Sequence, residues 1–267
     1  MKKLLILSLL CNKEKWLNEA NIVRRTWAND ILMNKYDNID MYFFTSSTNG
    51  EDYVDEDAHV IYVNSKDGLA DTAEKTIKAF KYSLNNFNFD YCILTNVSTV
   101  LNIKLINEFI NSDLIDEKCF YGGKLICRFN ACLFFRGNFI MLGHESVLKV
   151  ATNSKIVSHL FYGANDVNIF YTLFRTEKIE SVFLNKLMCV SCIDDFDNEF
   201  SVKEIGSKFY VSAKSEDLVD NDDVVLSNLV GVHSFIKSDN RDYDISKLVF
   251  RPNIIDTICG RYKIEKI

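Results

Sequence analysis

Thr95, Asn96, Ser98 and Thr99 set four small polar side chains directly after the apolar run Tyr91-Cys92-Ile93-Leu94. Side chains of this kind hydrogen-bond ligands, and a strand end that feeds a helix is where open α/β sheets bind them. A polar turn with no function has the same pattern. Arg24 and Arg25 stand late in an amphipathic stretch. They complement a helix dipole there, and they could also reach a phosphate. Asp166 precedes the apolar stretch Val167 to Arg175, where Asp is a favoured helix N-cap. The loop Asp194-Asp195-Phe196-Asp197 contains an Asp-x-Asp that could hold a metal, although acidic loops are usually only solvated. Cys189 and Cys192 form a CxxC without the second pair or the nearby histidines that a zinc site needs. His233 lies in an apolar strand-like run, where a lone histidine is commonly a satisfied core residue. No nucleophile elbow, P-loop or GxGxxG is present.

These residues need elements to position them. Leu4 to Leu10 reads as a first buried strand, and Asn12 to Trp27 as a helix with Trp16, Ala20, Val23 and Trp27 on one face. Ile39 to Thr45 and His59 to Val63 read as strands around a polar loop, Ser46 to Asp57. Asp71 to Phe87 is a helix that buries Ala73, Ile77, Phe80, Leu84 and Phe87. The run at 91–94 suits a central strand buried on both faces, with a helix from Leu101 to Ile110. Strands are expected at Cys119–Tyr121, within Leu125–Phe135 and at Gly137–Leu142, then a helix from His144 to Thr152. Ile179 to Val190 holds a further strand. The tail mixes short strands with a helical piece near Glu216 to Val230. The fold class is therefore α/β early and more antiparallel late.

With 267 residues, 48% of them hydrophobic, the chain can bury a full core. A net charge of −6 and the lack of a basic stretch argue against nucleic acid as a partner. Met1-Lys2-Lys3 ahead of an apolar run could pass for an export signal. The run is short and Leu10 is a poor residue at a cleavage site, so it reads as a strand. The eight cysteines sit mostly in apolar runs, as free core thiols in a reducing interior do.

Several short motifs follow one another in an order that resembles the β-1,3-galactosyltransferase and fringe group of glycosyltransferases. Val23-Arg24-Arg25-Thr26-Trp27 resembles that group's Ile-Arg-x-Thr-Trp, followed by the strand Tyr42-Phe43-Phe44. Asp71 to Thr76, with Lys75-Thr76, resembles Asn-Leu-Thr-x-Lys-Thr. The central strand resembles Lys-Thr-Asp-Asp-Asp-x-Phe-Val-Asn, with Thr95 and Asn102 matching. Phe135 to Met141 resembles Gly-Gly-Gly-Tyr-Val-Leu-Ser, and Asn165-Asp166-Val167-Asn168-Ile169 resembles Glu-Asp-Val-x-x-Gly.

The resemblance covers roughly residues 1–190. It implies a GT-A-type, Rossmann-like mixed sheet flanked by helices over 1–200, with 201–267 as an extension packed on the same domain. It implies an inverting hexosyltransferase that uses a UDP-sugar and a saccharide or lipid-linked glycan acceptor. The lack of an anchor fits a cytoplasmic enzyme of surface polysaccharide synthesis, with peripheral association at the inner membrane face compatible with that role. The resemblance gives Asp166 the role of the base that takes the acceptor's proton. Arg24 and Lys75 become candidates for the diphosphate, Asn96 and Ser98 for the ribose or base, and His233 for a metal or the diphosphate. The chain departs from the family at the acidic triplet, which falls on Asn96, Val97 and Ser98. Hard cations want carboxylate oxygens, so Mn2+ or Mg2+ is left open and weak metal dependence is the expectation. An inactive relative that only binds sugar or nucleotide is the alternative.

Overall fold

The computed structural model describes residues 1–112, 118–128, 132–154, 164–177 and 179, and beyond them six short strands between 182 and 266. The first half runs β1 (Leu4–Leu9), α1 (Glu14–Arg25), α2 (Asn29–Leu32), β2 (Ile39–Ser46), β3 (Tyr53–Asp55), β4 (Val60–Val63), α3 (Thr72–Asn86) and β5 (Tyr91–Asn96). It continues with β6 (Thr99–Leu101), α4 (Ile103–Ile110), β7 (Tyr121–Arg128), β8 (Cys132–Gly143), α5 (His144–Asn153) and α6 (Asn165–Phe170). The last strands are β9 (Val182–Phe183), β10 (Met188–Val190), β11 (Phe200–Ile205), β12 (Lys208–Ala213), β13 (Gly231–His233) and β14 (Glu265–Lys266).

One sheet of nine strands, in the order β14-β9-β7-β8-β5-β1-β2-β4-β3, forms the centre. β5, β1, β2 and β4 are parallel, while β8 pairs antiparallel with β5. The parallel strands read as continuous apolar runs because helices cover both faces. On one face α1 and α4 pack Ala20, Val23, Ile106 and Phe109 against Ile6, Phe43 and Ile93. On the other, α3, α5 and α6 pack Ile77, Phe80, Val147 and Ile169 against Leu7, Phe44 and Leu94. A fully buried side chain such as Phe44 or Phe80 contributes roughly 1.5–3 kcal/mol of apolar burial.

The chain leaves β1 for β2 on one side and returns through α3 to β5 on the other. β1 and β5 therefore flank a switch point, where open α/β sheets hold ligands beyond the strand ends. The strand ends themselves are in register, Leu9 opposite Asn96.

Two local expectations are corrected. The loop after β2 contains β3, which pairs antiparallel with β4 and stacks Tyr53 on Tyr62 at a centroid distance of 4.6 Å. The turn after β5 does not feed a helix directly. β6 intervenes and pairs with β13, so that a three-residue strand stands ahead of α4. Six residues of π-helix, Tyr171–Thr176, extend α6. The tail strands β13 and β14 pair with β6 and β9, and β11 and β12 form a hairpin. The helical piece expected near 216–230 and the acidic loop 194–199 fall outside the described residues.

Candidate functional site

At the C-terminal end of β5, Asn96 closes a turn on itself. Its Oδ1 accepts from the Ser98 amide at 3.1 Å, the Ser98 hydroxyl at 2.7 Å and the Thr99 hydroxyl at 3.1 Å. Asn is suited to this because its side-chain oxygen reaches the amide two residues on. Ser98 is buried and Asn96 half-buried. Asn96 Oδ1 is engaged inside the turn, where it accepts all three bonds.

Next to this turn, β8 loses its register with β7. Gly123 pairs with Ile140 and Leu125 with Phe135, so two steps on β7 face five on β8. The Asn138 carbonyl, in that irregular stretch, accepts from Thr95 Oγ1 at 2.7 Å and Thr99 Oγ1 at 3.3 Å. The Gly137 amide points the other way and donates to Asp166 Oδ2 at 3.1 Å. A Cβ on Gly137 would approach Asn165 Oδ1 to 3.2 Å and Asp166 Oδ2 to 3.3 Å, so glycine permits the close approach of α6. Asp166 Oδ1 accepts from the Val167 amide at 2.9 Å. The cap position of α6 belongs to Ala164, and Asp166 lies inside the first turn. Its carboxylate ties α6 to β8.

Lys75 is neither a solvated charge nor a free phosphate donor. It is 0% exposed, forms an ion pair with Asp67 and reaches the Leu10 carbonyl at 3.4 Å. Asp67 also accepts from the Asn12 amide at 2.7 Å. Burial pushes the neighbouring Cys11 thiol above its ordinary range, so it faces Asp67 as a neutral group. The chain just beyond β1 is thus clamped to the start of α3. The following residue, Thr76, accepts a hydrogen bond from Asn165 Nδ2 at 3.3 Å and connects α3 to α6.

Asn96, Ser98, Lys75 and Asp166 therefore stand on elements that meet at the ends of β1 and β5. His233 joins them through the backbone, since β13 sets it opposite Thr99. Arg24 does not. Its guanidinium donates to the Ala58 carbonyl at 3.1 Å and lies 4.4 Å from the centre of the Phe43 ring, over β2 and β4. Two strand spacings of about 4.8 Å separate β2 from β5. Arg24 and Arg25 line an open cavity of about 480 Å³ along α1 with Asn18 and Asn21. The motif that suggested Arg24 is satisfied locally, by packing.

Sequence reasoning passed over Asp67, Asn138 and Asn165. Asn138 carried a signal, a polar residue at the head of the apolar run Phe139 to Leu142. Asn165 stood at the head of the Asn165 to Ile169 motif, but its contact to Thr76, 89 positions away, was not legible, and Asp67 carried no signal because its partner Lys75 lies 8 positions on.

A divalent cation would need hard oxygen ligands. Asn96 Oδ1 already takes three donors, Ser98 Oγ donates to it, and Asp166 Oδ2 and Oδ1 each accept a backbone amide. No cluster of three His, Cys, Asp or Glu side chains suited to a metal occurs among the described residues. At these strand ends the described residues set the Asp166 carboxylate beside a neutral Asn96 turn, a poor ligand set for a hard cation.

No protein-family model matches the chain, and no curated protein matches it. Solved structures do. A glycosyltransferase involved in the glycosylation of the major capsid of PBCV-1 is similar with a TM-score of 0.51 at 9% identity, over 91% of this chain and 98% of that one. The glycosyltransferase GlyE of Streptococcus pneumoniae TIGR4 aligns at a TM-score of 0.45 and 8% identity, over 92% of this chain and 60% of its own. The galactosyltransferase LgtC, crystallised with donor and acceptor sugar analogs, aligns at 0.45 and 8%, over 97% and 100%. No helix among the described residues is long and apolar enough to cross a membrane. With the mixed sheet and its two helical layers, the first of these likenesses gives the chain an α/β fold similar to that of GT-A glycosyltransferases.

Proposed function

We propose that the chain is a glycosyltransferase that moves a hexose or N-acetylhexosamine from a UDP-sugar to a saccharide or lipid-linked acceptor, with inversion, in the synthesis of a surface glycan. The observation that carries this is the gathering of polar side chains at the switch point between β1 and β5. The motif order of the β-1,3-galactosyltransferase and fringe group supports the inverting chemistry.

In this reading Asp166 takes the proton of the acceptor hydroxyl as its oxygen forms a bond to the anomeric carbon. The bond from that carbon to the diphosphate breaks, and UDP leaves with the electron pair. Its backbone contacts to Gly137 and Val167 fix the carboxylate before substrate arrives, as a positioned base requires. Asn96 Nδ2 donates to the nucleotide diphosphate or ribose. Lys75 acts through Asp67 and the β1 end, and does not contact the phosphate.

A second reading is a relative that binds sugar nucleotide without turnover. The self-closed Asn96 turn favours it, because the acidic residues that would serve a metal are replaced by a neutral motif. Calorimetry with UDP, GDP and CMP, followed by UDP release from a panel of UDP-sugars with mixed acceptors, tests both. UDP preference with acceptor-dependent release supports transfer. UDP preference without release supports the binding relative, and absence of UDP binding rejects both. Asn96→Asp keeps the oxygen that closes the turn and removes the Nδ2 donor, so it should weaken UDP binding in EDTA without unfolding the chain.

A further inference from the structure

We infer that Asn138 reads the transferred sugar, its side-chain amide hydrogen-bonding two adjacent hydroxyls of the donor hexose. The inference rests on the glycosyl-transfer reading above. Asn138 is 3% exposed, and neither Oδ1 nor Nδ2 has a hydrogen-bond partner among the described residues. A buried amide with both ends unsatisfied is costly and calls for a cause.

The backbone on either side of the amide is held. The Asn138 carbonyl is held by Thr95 and Thr99, and the preceding amide by Asp166. The residue is thus pinned between the carboxylate and the Asn96 turn, since the same Thr99 hydroxyl lies 3.1 Å from Asn96 Oδ1. It also falls in the stretch where β8 leaves its register with β7. Such irregularities recur beside active sites, where they re-aim a side chain.

The chemistry of the amide selects its ligand. It is neutral and offers an acceptor and two donors side by side. A phosphate or carboxylate would use the donors and leave Oδ1 unpaired. An apolar group would use neither. A vicinal diol satisfies both, one hydroxyl donating to Oδ1 and its neighbour accepting from Nδ2. A hexose carries such pairs, and a site built to bond a hydroxyl discriminates strongly against a ligand that lacks it.

Asn138→Leu has a similar size and lacks both polar ends. The full chain and this variant are titrated with UDP and with UDP-galactose, UDP-glucose and UDP-N-acetylglucosamine. The ratio of the Kd for the sugar nucleotide the wild type binds best to the Kd for UDP decides the matter. The expected result is a ratio roughly tenfold less favourable in the variant, with UDP affinity within about twofold of wild type and a Tm unchanged or raised, because removal of an unsatisfied amide relieves the fold. An unchanged ratio overturns the assignment whatever the Tm does, as does an equal loss for UDP and the sugar nucleotide. If Asn138→Leu does not fold, Asn138→Ser is judged by the same ratio. A wild-type chain that binds none of these nucleotides rejects the glycosyl-transfer reading first, and this assignment with it.

Discussion

Replacing Asp166 with asparagine separates a catalytic carboxylate from a structural one, and the geometry sets the size of each effect. The aspartate accepts two backbone amides, one from β8 at 3.1 Å and one from its own helix at 2.9 Å. Asparagine has a single acceptor oxygen, so it keeps one of these bonds and turns an NH2 toward the other amide. A hydrogen bond to a charged group is worth about 1.5–3 kcal/mol. Asp166 is only half-buried, so the discounted loss is roughly 1–2 kcal/mol. In a chain of this size each kcal/mol lowers Tm by roughly 2–4 °C, so a fall of about 2–8 °C is expected. Asparagine is therefore not a silent replacement here, even though it is a good helix cap.

The loss of a base is a separate and larger effect, a rate lower by about 10²–10⁴. Turnover should be measured as UDP release at least 15 °C below the variant's melting point, roughly twice the expected fall, with Tm taken from circular dichroism on the same sample. A folded Asp166→Asn protein with the expected Tm loss but turnover within about threefold of wild type would refute the base assignment. Gly137→Ala provides an independent perturbation that keeps the charge. Its Cβ would lie 3.2–3.3 Å from Asn165 Oδ1 and from Asp166 Cβ and Oδ2, so the carboxylate must shift by tenths of an ångström. A positioned base should lose rate from that shift while UDP affinity stays near wild type.

Lys75→Met should destabilise the chain by roughly 1–3 kcal/mol in a denaturant melt, because it leaves Asp67, 24% exposed, without its cation; a neutral result would show that the pair is dispensable. Arg24→Ala should leave UDP affinity unchanged and cost about 1 kcal/mol through lost packing on Phe43; weaker UDP binding would bring Arg24 back to the site. Transfer should survive EDTA to a substantial extent, and complete loss restored by Mn2+ would point to Asp194, Asp195 or Asp197.

The apolar pattern made most of the fold legible. α1, α3 and α5 begin and end within about two residues of the sequence expectation, because each is marked by one apolar face and a polar boundary. β3 was missed because a three-residue edge strand has too little periodicity to show. β6 was missed for a different reason, since its partner β13 lies about 130 residues later and nothing local encodes the pairing. The site followed the same rule. Asn96, Ser98 and Asp166 were visible because each stands at an element boundary, where a polar residue is conspicuous. Whether a side chain there is available or already engaged depends on distant partners. Asp67 eight residues back decides it for Lys75, and Ala58 and Phe43 decide it for Arg24.

If the proposed transfer from a UDP-sugar holds, the neutral turn bears on how the leaving diphosphate is met. Carboxylates at 96 and 98 would repel each other two residues apart and would need a cation between them. Asparagine and serine remove that need, because the Ser98 and Thr99 donors converge on Asn96 Oδ1 in place of a cation. The turn is therefore stable without a metal, and the same bonds withdraw its best ligand oxygen from metal binding. In the proposed reaction, charge on the diphosphate would then be met by N–H donors rather than by a cation. Lys75 on α3 is a buried cation among the described residues, but Asp67 already balances it. A pair that is neutral as a unit supplies little net field to an anion, so its contribution to UDP binding is through the shape of the β1 end. UDP affinity that falls only weakly with added salt would agree with this arrangement, since screening acts on net charge and not on paired or neutral donors.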